Sequence, residues 1–143
     1  LNMDASLGYL TTWVNKFTYF AAEGVEAIGG DREAAMSPKM TGSVGFNFKN
    51  NSGIFGLVQM SFKDEYYFSD SHNQKSKPYT LLNINIGKSF GKTIVKLWIR
   101  NALDERYTTR GFYFGLIPPT YPDQLWKSYG DPRQIGVTID YTF

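Results

Sequence analysis

The chain has 143 residues, a formal net charge of +2 and no cysteine. A disulfide framework and a thiolate metal site are therefore excluded, and the basic residues are too scattered for a nucleic-acid stripe. Aromatics reach 17% and charged residues only 20%, which favours strands, and no window approaches the ~18 consecutive apolar residues of a transmembrane helix.

Six segments alternate with period two. In the first, Leu1, Met3, Ala5, Leu7, Tyr9 and Thr11 share a face that ends at Trp13, while Asn2, Asp4, Ser6, Gly8 and Thr12 share the other. Leu1 opens inside this run, so the chain is expected to be a fragment. The second segment sets Val44, Phe46 and Phe48 against Ser43, Gly45, Asn47 and Lys49. The third runs from Ile54 to about Phe68, with Val58, Met60 and Phe62 against Gln59, Ser61 and Lys63. The fourth opposes Leu82, Ile84 and Ile86 to Asn83, Asn85 and Gly87. The fifth opposes Val95, Leu97 and Ile99 to Lys96, Trp98 and Arg100. The last is the cleanest: Ile135, Val137, Ile139, Tyr141 and Phe143 alternate with Gln134, Gly136, Thr138, Asp140 and Thr142.

The connections alternate in length. Asn50-Asn51-Ser52-Gly53 and Gly91-Lys92 read as tight hairpin turns. The other three, about 14–39, 69–78 and 110–132, are long. Turns at one end and long loops at the other are the pattern of outer-membrane β-barrels, in which every second residue faces a polar lumen. The mean hydropathy of −0.33 does not oppose this, because half of each strand is polar. Aromatics gather where strands meet the long loops: Trp13 to Phe20, Tyr66 to Tyr79 and Tyr107 to Phe114. They are expected to form an interfacial girdle, with ordinary strand packing as the alternative. Ala21–Ala35, rich in Ala, Glu and Gly, is expected to hold a helical turn or to be mobile. Six strands fall short of the minimum of about eight that closes a membrane barrel, so the fold class expected is all-β, a fragment of an antiparallel up-and-down transmembrane barrel.

Two motifs sharpen this. Leu97-Trp-Ile-Arg-Asn-Ala-Leu-Asp-Glu-Arg-Tyr107 resembles the penultimate strand of TonB-dependent outer-membrane receptors, where a hydrophobic strand runs into Asn-[Leu/Ala]-[Leu/Phe]-Asp-x-x-Tyr. Gly130-Asp-Pro-Arg-Gln-Ile-Gly-Val-Thr-Ile-Asp-Tyr-Thr-Phe143 is similar to that family's last strand, introduced by Pro-Arg and closed by a terminal Phe. Ser37-Pro38-Lys39 matches a recurrent Pro before the second strand. The resemblance implies that residues 1–143 are the C-terminal part of a barrel of about 22 strands, whose plug domain and TonB box lie upstream. It further implies a Gram-negative outer membrane, and energised uptake of an iron-siderophore, haem, cobalamin or glycan. The implied partners are outer-membrane lipid, the barrel assembly machinery, the small-molecule ligand and the TonB complex acting through the plug. Gln134, Gly136, Ile139, Tyr141 and Phe143 resemble the signal read by the assembly machinery, which can recognise an unpaired edge strand and its alternate side chains. Satisfying lipid on one face and lumen on the other explains the same pattern.

The motif residues also have local physical roles. Asn101 and Asp104 are expected to bond nearby backbone as the strand ends, and Pro132 suits the first residue of a strand. Arg110 and Arg133 are expected to meet acidic neighbours at the rim, with anionic lipopolysaccharide or ligand as alternatives.

No catalytic residue, metal site or cofactor is expected. His72, the one histidine, lies in the polar stretch Ser69-Asp-Ser-His-Asn73. Sequence neighbours rarely converge into a triad, and His72 with Asp70 supplies too few metal ligands. Glu23, Glu26, Asp31 and Glu33 lack calcium-loop spacing. The ligand-binding candidates are loop residues able to stack or donate: Arg110, Tyr113, Tyr121, Trp126, Lys127 and Tyr129. Two other readings stand beside the receptor: a soluble β-sandwich that binds glycans through exposed aromatics, and a small barrel hydrolase using Ser71 and His72.

Overall fold

The computed structural model describes residues 1–143, apart from the side chains of Ala21 and Ala22. Ten strands form three antiparallel sheets: β1 (Asn2–Tyr9), β2 (Phe17–Ala22), β3 (Val25–Gly29), β4 (Met40–Lys49), β5 (Ile54–Lys63), β6 (Tyr79–Phe90), β7 (Thr93–Arg100), β8 (Thr108–Phe114), β9 (Gln124–Tyr129) and β10 (Gln134–Tyr141). The main sheet has the order β1-β4-β5-β6-β7-β10, so each strand pairs with the next one that reaches the sheet. This is the up-and-down meander expected from the alternation. Among the described residues, β1 and β10 each keep one free edge.

The register keeps the two faces apart across all six strands. Met3, Phe46, Val58, Ile84, Ile99 and Ile135 lie in one continuous cross-strand row. A one-residue slip in any strand would break that row, so the period-two pattern also specifies the pairing. The neighbouring row on the opposite face runs Asn2, Asn47, Leu57, Asn85, Trp98 and Gly136. The polar face carries close packing of its own. The Trp98 ring lies where a Cβ on Gly136 would stand, and its Nε1 donates to Thr138 Oγ1 at 3.2 Å. Any larger residue at 136 would displace the indole from the neighbouring strand. Lys96 meets Asp140 at 2.6 Å on the same face.

The apolar face is open. Leu7 is 75% exposed, and Ile135, Val137 and Ile139 are between 62% and 68% exposed. Tyr141 stacks edge-on against the terminal Phe143, at 5.2 Å between ring centres.

Both short turns are where the sequence puts them. Asn50 closes the first by accepting the Ile54 N–H on its Oδ1 at 2.9 Å, with Gly53 at φ 80°. Gly91, at φ 59°, opens the second. The long connections all lie at the other end of the sheet, and they correct three expectations. The first segment ends at Tyr9 rather than Trp13. The third ends at Lys63 rather than near Phe68, because Asp64–Lys75 folds back on itself through a bridge between Tyr67 and Lys75. The stretch 21–35 forms no helical turn. Phe17–Ala22 and Val25–Gly29 pair as a hairpin around Gly24 at φ 72°. The aromatic and β-branched residues Phe17, Thr18, Tyr19, Phe20, Val25 and Ile28 suit a strand pair once a turn glycine joins them.

Candidate functional site

The packed part of the molecule is the cluster of long connections, not the sheet. We call them loop A (residues 10–39, carrying β2–β3), loop B (residues 64–78) and loop C (residues 101–133, carrying β8–β9). Among the described residues, the buried aromatic side chains are Tyr66 and Phe68, both in loop B. They meet edge-on with ring centres 5.9 Å apart. The girdle expected of this cluster is therefore corrected for these two residues: they point into the loop cluster, away from the apolar face.

Loop B is held from both sides. Toward loop A, the Gly30 N–H donates to Asp70 O at 2.8 Å and the Met36 N–H to Tyr67 O at 2.8 Å. The Ala35 N–H donates to Asp70 Oδ1 at 2.6 Å, and Tyr19 Oη to Ser71 O at 3.0 Å. Arg32 adds Nη1 to His72 O at 2.6 Å and lies over the Tyr67 ring at 5.1 Å, while Lys75 lies over the same ring at 4.4 Å. Toward loop C, Tyr66 Oη donates to Thr108 O and Thr109 O, each at 3.2 Å. The Phe68 ring occupies the space beside Gly111 that a side chain there would fill. His72 packs against Tyr113 with ring centres 5.8 Å apart.

Burial pushes the His72 imidazole below its ordinary 6.5, and the Arg32 guanidinium acts in the same direction. Burial likewise raises the Tyr66 phenol. At the mouth of loops A and B, Lys39 bonds Glu33 at 2.6 Å and Lys75 bonds Glu65 at 2.8 Å. These exposed pairs add little stability.

Asn101 closes the neck of loop C. The residue is 4% exposed and left-handed at φ 49°. Its Nδ2 donates to Glu105 O and Asp131 O, each at 3.0 Å, and its Oδ1 accepts the Glu105 N–H at 2.9 Å. Its own N–H donates to Asn83 Oδ1 at 3.1 Å, which ties the neck to β6. Asp104 Oδ1 accepts the Arg133 N–H at 3.0 Å, and its other oxygen faces the guanidinium at 3.7 Å. The Asn-Ala-Leu-Asp motif thus clamps the start of β10 to the end of β7. Arg133 meets an acidic neighbour, as the sequence suggests.

The six ligand-binding candidates do not converge. On β8–β9, Tyr113 and Lys127 share the face turned to loop B, with Gly111 and Leu125. Arg110 and Trp126 lie on the opposite face with Phe112 and Phe114. Trp126 Nε1 donates to Phe114 O at 3.1 Å. Tyr129 sits at the hairpin base beneath Arg106, 4.4 Å from the ring centre. Tyr121 is exposed near the tip at φ 46°. Phe112 and Phe114 are assigned by sequence to the aromatic girdle and not to the ligand candidates, whereas the β8–β9 register puts both on the face of Arg110 and Trp126. In the Ser69–Asn73 stretch, Ser71 Oγ bonds Ser69 Oγ at 2.8 Å, His72 Nδ1 accepts the Gln74 N–H at 3.3 Å, and Asp70 holds loop A. These three residues are committed to loop structure rather than to one another.

No family model matches the chain. Among solved structures it is similar to the ferric yersiniabactin uptake receptor FyuA from Yersinia pestis, with a TM-score of 0.60 and 16% identity over 82% of this chain. The chain spans about a fifth of that receptor, 20% of its length. The likeness shows the fold: an antiparallel all-β barrel segment.

Proposed function

We propose that this chain is part of the wall and outer loops of a TonB-dependent receptor in a Gram-negative outer membrane, taking up a scarce ligand of the siderophore, haem, cobalamin or glycan class. The observation that carries the reading is the unbroken apolar row across six strands, on a sheet with turns at one end and loops at the other. The dimensions agree. A ten-residue strand such as β5 rises ~34 Å, and a tilt of ~40° reduces this to ~26 Å, close to the ~25 Å apolar band of such barrels. The structural likeness to an uptake receptor supports a transport role. The C-terminal motifs support the family.

In this reading the apolar face meets lipid, the face of Asn47, Asn85 and Gln59 lines the lumen, and loops A to C lie outside. Arg110, Tyr113, Tyr121, Trp126, Lys127 and Tyr129 contribute separately to ligand contact, since the hairpin displays them on several sides. Gln134, Gly136, Ile139, Tyr141 and Phe143 lie on or just beyond β10, whose free edge is available to the assembly machinery. The wall does no bond chemistry. Transport depends on a plug and an energised inner-membrane partner.

Expression of the full-length protein in cells lacking other uptake receptors tests this. The expected result is an outer-membrane, heat-modifiable protein that restores growth on one chelated-iron, haem, cobalamin or glycan source, and only with an energised inner membrane. Recovery as a water-soluble monomer would overturn it.

A further inference from the structure

The apolar face of the main sheet carries a single charge. Within the six paired strands, the residues of that face are apolar, glycine or threonine, apart from Lys88 of β6. Lys88 lies in the row Ile54–Lys88–Val95–Ile139, one row in from Phe90–Thr93–Tyr141 at the turn end. β6 sits between β5 and β7, so this is not a lysine guarding a free sheet edge. A charge facing a protein core or the middle of a bilayer is disfavoured. Near the interface, a lysine instead lays its stem on apolar surface and holds its head in the polar layer. Lys88 is placed for that second case. It is exposed, and its Nζ stands 4.8 Å from the centre of the Phe90 ring, toward the turn.

Charge balance separates the two ends of the sheet. At the loop end, Lys39, Lys75 and Arg133 each face a carboxylate. At the turn end, stretches 47–57, 86–96 and 139–143 hold four lysines against one acidic side chain, Asp140. Lys96 takes that carboxylate at 2.6 Å on the polar face. Among the described residues, Lys88 and Lys92 make no ion pair. Lys92 stands in the β6–β7 turn, and its carbonyl accepts the Thr142 N–H at 3.0 Å. That bond ties it to the Tyr141–Phe143 aromatic pair. Two unpaired cations beside an aromatic row, at the rim of an apolar face, complement a phosphate carried on acyl chains.

We propose that Lys88, Phe90, Lys92 and Tyr141 form a binding site for an anionic glycerophospholipid in the leaflet at the turn end. The headgroup phosphate meets the two ammonium groups, and the acyl chains lie along the inward row Ile86–Leu97–Val137. The proposal rests on the barrel reading above. It adds that this rim selects an anionic lipid over a zwitterionic one.

The test uses full-length protein free of other cysteines, carrying one fluorophore. The label is placed at Thr93→Cys, in the row next to Lys88, or at Thr80→Cys, on the same face at the loop end. The protein is reconstituted in phosphatidylcholine vesicles holding a minor fraction of phosphatidylglycerol, with brominated acyl chains on one lipid or the other. Quenching at residue 93 is expected to favour phosphatidylglycerol about fivefold at low salt. The preference should vanish in the double variant Lys88→Gln, Lys92→Gln and persist in Lys88→Arg. No preference is expected at residue 80. Heat-modifiable migration checks that each variant folds. Equal quenching by both lipids at residue 93, an equal preference at residue 80, or a preference that the double variant retains would overturn the proposal. So would its loss when inorganic phosphate replaces chloride at equal ionic strength, since a free anion would then be the ligand. Absence of quenching by either lipid at both positions contradicts the barrel reading, whereas equal quenching by both contradicts the lipid site alone.

Discussion

Val58 separates a lipid-facing row from a core-facing one. It lies near the middle of β5, between Phe46 and Ile84 in the apolar row. Val58→Arg places a guanidinium near mid-depth, at a cost of about 2–4 kcal/mol in an outer-membrane barrel. That lowers the folded-to-unfolded ratio roughly 30- to 700-fold. Gln59→Arg, one residue on, faces the polar side and is expected to cost less than about 0.5 kcal/mol. A soluble sandwich would also suffer from Val58→Arg, so the deciding substitution is Val58→Phe. In a close-packed core the added ring costs about 1–3 kcal/mol. Against fluid lipid it meets no fixed neighbour and is expected to cost less than about 0.5 kcal/mol. The assay is equilibrium unfolding of the full-length protein in lipid bilayers, read by heat-modifiable migration. A Val58→Phe loss as large as a core overpacking, or a Gln59→Arg loss matching Val58→Arg, would refute the reasoning.

Other perturbations address the loop cluster. Asn101→Gly keeps the left-handed backbone but removes three side-chain hydrogen bonds, so the neck of loop C is expected to weaken by about 2–4 kcal/mol. Limited proteolysis should then cut within residues 105–131 much faster, and unchanged rates would contradict the clamp. Burial holds the His72 pKa below its unfolded value, so the unfolded loop binds the proton more readily. Loop B should therefore keep full stability above the unfolded value of 6.5 and lose it as pH falls below that. Protease resistance between pH 7.5 and pH 5 checks this, and His72→Gln should flatten the profile. Gly111→Val drives a side chain into the Phe68 ring and should cost about 1–3 kcal/mol in loop stability. Restoration by Phe68→Ala in the same chain would show that the ring is the obstacle.

The sheet was legible because its signal is local. Period two in Ile135–Tyr141 or Val95–Ile99 assigns a face to each residue, and the short turns at Gly53 and Gly91 then set the register. The loops were harder to read. Tyr66 and Phe68 return to the apolar parity of β5, which hid the break that Lys63-Asp64-Glu65 makes by placing Asp64 on that parity. Their burial depends on Gly111 and Thr108, more than forty residues away in sequence, which no periodicity reports. The β2–β3 hairpin was hidden by the helix-forming Ala and Glu around its turn, although tertiary pairing overrides such weak propensity. Asn101 and Asp104 were legible as backbone-bonding residues. Their reach to Asp131 and Arg133 was not, because it depends on β7 and β10 being neighbours. The ligand candidates were picked by chemistry alone, and a hairpin places alternate residues on opposite sides.

The central claim is that the apolar row of the last strand meets lipid. Spin labels placed singly at residues 135–141 of the full-length protein in bilayers test it most directly, through collision with oxygen and with a water-soluble relaxant. The expected result alternates: high oxygen accessibility at Ile135, Val137 and Ile139, and low values at Gly136, Thr138 and Asp140. Protection of Val137 and Ile139 from both reagents would place the row in a protein core and contradict the account.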